Sequence, residues 1–137
     1  MILGDASSAH VLVSAEPEAY VDGTKGSEVW ITLQAKSQQF AAAQASCIAR
    51  SGWQAFLAAL TKLEASRRGE AVLQSAVPGE LLFRVYASDH ASHMAADVEL
   101  HRADIAGTPL LRLTRIVFDP SELRLLLEEL RNAVPAV

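Results

Sequence analysis

The first part of the chain alternates apolar and polar positions in the way that half-buried β-strands do. A loose alternation predicts a strand over residues 9–15, which Glu16-Pro17-Glu18 should end. A clearer strand is predicted over residues 28–35, with Val29, Ile31 and Leu33 on one face. Turn chemistry, including Asp22-Gly23, separates the two.

Residues 40–48 are rich in alanine, and their pattern suits either a third strand or a helix. The strand is favoured because a helix would have to continue through Ser51-Gly52. Ser51 is instead a candidate N-cap for a helix that ends at Arg67-Arg68-Gly69. The buried stripe of that helix has apolar residues at helical spacing: Trp53, Phe56, Leu57, Leu60 and Leu63.

Four strands are then predicted in succession, over residues 70–76, 80–87, 93–101 and 110–118. In the third of these, alternation leaves Asp97, Glu99 and His101 for solvent. The fourth changes phase half-way, which a β-bulge near Thr114-Arg115 would explain.

The last helix has the best-defined start in the sequence. Asp119 is a candidate N-cap, Pro120 suits the first helical position, and Glu122 would complete a capping box. Its buried stripe comprises leucines and a valine at helical spacing: Leu123, Leu126, Leu127, Leu130 and Val134. Four leucines of the two helices should be largely buried against the sheet, namely Leu57, Leu60, Leu126 and Leu130.

The resulting order is βββ-α-ββββ-α. Consecutive strands joined by short turns favour antiparallel pairing. We therefore predict a single α+β domain over residues 1–137, with an antiparallel sheet of six to seven strands and two helices packed on one face.

Composition narrows the class of protein without identifying a function. Half of the residues are apolar, which excludes disorder, although 24 residues are alanines. The formal net charge is −4, so the chain lacks the basic field expected of a nucleic-acid-binding protein. The first ten residues do not resemble a signal peptide and no apolar run is long enough to span a membrane, so a cytoplasmic location is predicted.

No catalytic, cofactor-binding or metal-binding set can be assembled from the sequence. His90 and His93 have H-x-x-H spacing, but further zinc ligands are missing, and both are expected to be exposed loop residues. Asp97 and Glu99 share a strand face, which is more typical of a solvated surface than of an acid–base pair. Glycine-rich phosphate loops and a G-x-S-x-G elbow are absent. The chain is thus predicted not to be an enzyme, and an enzyme with an uncommon site ranks last among the hypotheses.

Two residues remain ambiguous. Cys47 lies among small apolar residues and is interpreted as a core residue, the alternative being a reactive thiol. Trp30 points away from the apolar row of its strand. It is therefore either covered by a helix or part of a binding surface, and the sequence favours neither.

The order of several landmarks resembles that of the WapI-like immunity proteins of bacterial polymorphic-toxin systems. The resemblance runs over roughly residues 11–130 and rests on Val29-Trp30-Ile31-Thr32-Leu33, Phe40, the helix with Phe56 and Leu60, Gly69-Glu70-Ala71-Val72-Leu73, and Phe118-Asp119. A glycine usual in that family is missing near Ser92-His93-Met94. The landmarks are core and capping positions, so no partner-binding residue can be carried over.

The resemblance implies a small acidic α+β domain that neutralises a cognate toxin by stoichiometric binding. The partner expected on this hypothesis is a protein toxin, with no cofactor. The alternative is a small-molecule-binding or accessory domain, possibly a homodimer joined through the sheet face that carries Trp30 and Gln34.

Overall fold

A computed structural model of the chain describes residues 1–19, 25–76, 79–88, 93–101 and 109–135. Two helices and eight strands follow one another in the order β1 (Ile2–Gly4), β2 (Ala9–Ala19), β3 (Lys25–Ser37), β4 (Phe40–Ala49), α1 (Arg50–Ser66), β5 (Glu70–Gln74), β6 (Leu81–Ala87), β7 (Met94–His101), β8 (Pro109–Phe118) and α2 (Pro120–Ala133).

The strands form two antiparallel sheets. The N-terminal sheet has the order β1-β2-β3-β4 and the C-terminal sheet the order β5-β6-β7-β8. The α+β class and the antiparallel pairing are confirmed, whereas the prediction of one sheet of six to seven strands is wrong. The reason is that α1 leads the chain out of β4, and β5 then pairs with β6 instead of extending the first ladder. Where the sheets meet, the backbone N–H of Ala76 donates to the carbonyl of Cys47 at 2.8 Å.

The first two strands of the N-terminal sheet, β1 and β2, differ from the sequence prediction. β1 is too short to give a pattern, and it pairs only with residues 10–12 of β2. β2 continues through Pro17 to Ala19 instead of ending at residue 15, with a register irregularity between Pro17 and Ala19. Proline is tolerated there because that part of β2 lies beyond the reach of β1, so no neighbour needs its missing N–H.

Helix α1 begins directly at the end of β4. Its N-cap is Ala49, which makes no side-chain capping bond, so the assignment of Ser51 as N-cap is wrong. Ser51 and Gly52 lie within the first turn of the helix. The N-cap position falls on Ala49, the last residue of β4, whose side chain has no hydrogen-bonding group. At the other end the prediction is confirmed: Arg67 is the left-handed C-cap, and Gly69 also has positive φ.

Two local predictions in the C-terminal part are confirmed. The register of β7 with β8 shifts between Ala96 and Val98, opposite Arg115, whose φ is 57°. This is the predicted β-bulge. At the start of α2, the Asp119 carboxylate accepts the Ser121 N–H at 2.9 Å and Glu122 accepts the Asp119 N–H at 2.9 Å, which completes the capping box.

Both helices and both sheets contribute to one apolar core. Its largest side chains include Trp53, Phe56 and Phe83, and the Phe56 ring lies 6.0 Å from that of Phe83. Three of the four leucines expected in the core are buried: Leu60, Leu126 and Leu130. Leu57 is only partly buried, because it lies at the margin of the α1 stripe.

Candidate interaction surface

The N-terminal sheet presents a largely uncharged outer face. In β3, Val29, Ile31 and Leu33 are fully buried against the core, so the alternate residues point outward. Register places the outward residues in cross-strand rows: Glu16-Trp30-Cys47, Ser14-Thr32-Ala45, Leu12-Gln34-Ala43 and His10-Lys36-Ala41. This set is called the outer face below.

Trp30 stands at one corner of the outer face and is 39% exposed. Among the described residues, therefore, no helix covers it. A shallow cavity of about 150 Å³ beside it is lined by Ser14, Glu16 and Thr32, among others. The Glu16 carboxylate belongs to the strand directly opposite Trp30, so the corner combines an aromatic ring with negative charge.

Cys47 lies on the same corner, directly opposite Trp30 in the ladder. It is partly exposed, and its thiol donates to the Glu28 carboxylate at 2.6 Å. The interpretation of Cys47 as a core residue is therefore wrong. Alternation explains the error, because in β4 the core positions are those of Ser46 and Ile48.

The opposite end of the outer face carries a larger cavity of about 400 Å³. Its lining is mostly apolar, with His10, Gln34 and Lys36 as the polar residues. Ile2 from β1, which is 44% exposed, forms part of the wall. The volume falls in the range of small-molecule sites.

The C-terminal sheet has a different outer surface, on which charges are paired with one another. Arg84 donates to the carboxylates of Glu70 and Asp97, the latter at 3.3 Å, and its guanidinium carbon lies 4.2 Å from the centre of the Tyr86 ring. The hydrogen bond with Glu70 raises the pKa of Arg84 above its ordinary value. His101 lies 3.4 Å from Glu99 in a further contact between polar side chains.

Asp97 is the centre of this network, which the local sequence pattern does not predict. Its Oδ1 accepts the Tyr86 hydroxyl at 3.0 Å and the backbone N–H of Arg115 at 2.9 Å. The carboxylate thus fixes the β-bulge. The expectation that Asp97 is left to solvent is wrong, because the bulge turns a backbone donor toward it. Burial, together with the hydrogen bond to Asp97, raises the pKa of Tyr86.

The histidine pair gives no sign of a metal site. His93 is exposed, as expected, and His90 lies outside the described residues. Within the residues that the structure describes, no group of three or more histidine, cysteine, aspartate or glutamate side chains could hold a metal ion. His10 and His101 each have a buried Nδ1 without a hydrogen-bond partner in that same part of the chain.

Comparison with known proteins assigns this chain to no family. A scan against protein-family models found no match, and searches of curated proteins and of solved structures found none either. Among the described helices, none is both long enough and apolar enough to cross a membrane.

Proposed function

We propose that this protein is a stoichiometric binding protein that neutralises a cognate bacterial toxin, and that it binds the toxin through the Trp30 corner of the outer face. The observation that carries the proposal is an exposed tryptophan on an uncovered sheet face, flanked by carboxylates. Tryptophan is among the residues most enriched at binding hot spots, since it supplies a large contact area with few rotatable bonds.

The charge around Trp30 favours a basic partner. Glu16 lies opposite Trp30 in the ladder, and Glu28 lies close enough to accept the Cys47 thiol at 2.6 Å. The whole chain carries a formal charge of −4. An acidic surface speeds association with a basic surface by electrostatic steering, and salt screens this effect. A toxin that acts on nucleic acid would present such a surface.

The resemblance to the WapI-like immunity proteins supports the same role. The landmarks of that resemblance lie in β3, β4, α1 and β5 and at the junction of β8 with α2. Those elements build the core and the hairpin that displays Trp30. The resemblance supports a protein toxin as the partner, and the exposed Trp30 supports this corner as the contact site.

Co-expression with the toxin domain encoded by the neighbouring gene tests the proposal. We expect protection of the host and a one-to-one complex in size-exclusion chromatography with light scattering. Trp30→Ala should weaken binding by about 30-fold or more, the cost of truncating a hot-spot residue. Leu125→Ala is the matched control, because Leu125 is a large apolar residue on α2 that is 52% exposed. The affinity of the Leu125→Ala variant for the toxin should equal that of the wild-type protein.

The charge dependence gives a second readout. Glu16→Lys should slow association most at low ionic strength, where screening is weakest. A His90→Ala/His93→Ala double variant should protect as well as the wild type. Protection at clearly substoichiometric amounts, or equal affinity of the Trp30→Ala and wild-type proteins, would refute the proposal.

A second candidate function is the binding of a small apolar molecule, favoured by the cavity of about 400 Å³ on the outer face. Ligand screening by thermal shift tests it, with Leu12→Trp as a variant that fills the cavity. Hits that stabilise both proteins equally would exclude this cavity as the binding site.

A further inference from the structure

The four sheet edges of the fold are protected to very different degrees. β1 has only three residues, and β5 has five and packs against α1. β8 has ten residues but contains Pro109, Arg112 and the bulge at Arg115. Short strands, covering helices, prolines, charges and bulges are the devices that keep sheet edges from pairing with other chains.

The β4 edge is covered near its end, where the Ala76 N–H donates to the Cys47 carbonyl, but along residues 40–45 the described part of the chain shows none of these devices. Strand β4 is ten residues long, contains no charged residue or proline, and pairs with β3 in unbroken register. Phe40 at its start is 70% exposed. A long, neutral and regular edge of this kind is a template for adding a strand.

The direction of the free backbone groups follows from one hydrogen bond. The Cys47 carbonyl accepts the Ala76 N–H at 2.8 Å, so it points away from β3. Because backbone direction alternates along a strand, the N–H and C=O groups of Ala41, Ala43 and Ala45 also point away from β3. In the described part of the chain, these three residues have no hydrogen-bond partner on that side.

We propose that this edge pairs with the β4 edge of a second copy of the chain. The two strands run antiparallel about a twofold axis at Ala42. Ala41 of each copy then lies opposite Ala43 of the other, and their outward N–H and C=O groups exchange hydrogen bonds. The two N-terminal sheets become one continuous sheet of eight strands. This assembly does not depend on the proposed function, because the Trp30 corner lies at the other end of β4.

Self-complementarity makes a second copy the fitting occupant. Every side chain brought face to face in this register is small or neutral, so no like charges meet. The register also keeps the second copy clear of Cys47, where Ala76 already occupies the carbonyl. Centring the axis at Ala43 would place the Gln38-Gln39 turn of the second copy against Ala76.

Paired charge variants at two exposed positions test both the edge and its register. Ala41→Lys/Ala43→Lys places lysine opposite lysine at both contacts. Ala41→Glu/Ala43→Lys changes the same residues but places glutamate opposite lysine. Light scattering over about 1 μM to 1 mM protein measures the mass of each, because an interface of one strand is small and weak.

We expect the wild-type protein to approach twice its chain mass of 14.7 kDa as the concentration rises. The lysine–lysine variant should remain monomeric, and the glutamate–lysine variant should dimerise at least as well as the wild type. Circular dichroism confirms that both variants fold. Trp30→Ala should dimerise like the wild type.

Three results would overturn the proposal. The first is a wild-type protein that stays monomeric throughout the series. The second is a lysine–lysine variant that dimerises as well as the wild type. The third is loss of the dimer in Trp30→Ala, which would indicate a face-to-face dimer through the outer face instead.

Discussion

Replacement of Asp97 by alanine should be among the most destabilising changes on the surface of the C-terminal sheet. The Asp97 side chain is 21% exposed. Its Oδ1 accepts two hydrogen bonds, from Tyr86 and from the Arg115 backbone, and each contributes about 1.5 kcal/mol because the acceptor is charged. The contact with Arg84 adds no more than about 0.5 kcal/mol, because the Arg84 side chain is 37% exposed. Asp97→Ala should therefore lower the free energy of unfolding by about 3 kcal/mol.

Urea denaturation followed by fluorescence measures this loss as a lower midpoint at an unchanged m value. Asp97→Asn is the matched control, because it keeps an oxygen in the place of Oδ1 and loses only the charge. It should lose less than half as much stability as Asp97→Ala. If Asp97→Ala costs less than about 1 kcal/mol, or if both variants lose the same amount, the carboxylate does not fix the bulge.

The same network predicts a loss of stability in alkaline solution. The raised pKa of Tyr86 means that the folded protein holds the phenolic proton at pH values where the unfolded chain releases it. The contribution of Tyr86 to the free energy of unfolding is therefore complete below pH 10.0 and is lost as the pH rises through the pKa of Tyr86 in the folded protein. Tyr86→Phe should remove this part of the pH dependence. If the free energy of unfolding falls equally steeply with pH above pH 10 in the wild-type protein and in Tyr86→Phe, the argument is contradicted.

Three further predictions concern the core, the α2 cap and β1. Leu126→Ala should cost about 2–5 kcal/mol in chemical denaturation, whereas Leu125→Ala on the exposed side of α2 should stay within about 0.5 kcal/mol; similar losses would mean that the helix phase is wrong. The hydrogen bonds from Ser121 lower the pKa of Asp119, so its contribution to stability is present above pH 3.8 and is lost as the pH falls through the folded pKa. Asp119→Asn should keep the helix cap but lose this decrease of stability at low pH. If the free energy of unfolding of the variant falls with decreasing pH as in the wild type, the argument is contradicted. Gly4→Ala should lower the melting temperature, because φ is +96° and a Cβ would lie 2.6 Å from the Ala9 oxygen; an unchanged melting temperature would refute this.

Strong local patterns made much of the fold predictable from the sequence. Alternation identified β3 and β7, helical spacing identified α2, and the phase change in β8 located the bulge at Arg115 before any register was known. These signals depend only on neighbours within one element. β1 escaped prediction because three residues cannot establish a period.

What the sequence could not provide was the pairing between elements. The split into two sheets depends on β5 pairing with β6 alone, and nothing local to β5 encodes that choice. The network around Asp97 depends on its place opposite Arg84 in the ladder, thirteen residues away along the chain. The direction of the outward backbone groups of β4 follows from a single long-range backbone bond, from the Ala76 N–H to the Cys47 carbonyl, which no local pattern in β4 encodes.

The two sheets differ in how much it costs to remove their outer surfaces from water. On the C-terminal sheet, Arg84, Glu70 and Asp97 satisfy one another, and a partner that covered them would have to match charges that are already paired. Apart from Glu16 and Lys36, the outer face of the N-terminal sheet consists of side chains without a formal charge, the exposed Trp30 among them, so desolvation there sacrifices few strong interactions. Because the Trp30 corner and the β4 edge occupy opposite ends of one hairpin, a second copy at the edge would leave the corner open. Each N-terminal sheet could then bind its own partner, and an assembly of two chains with two toxins follows from the two proposals together.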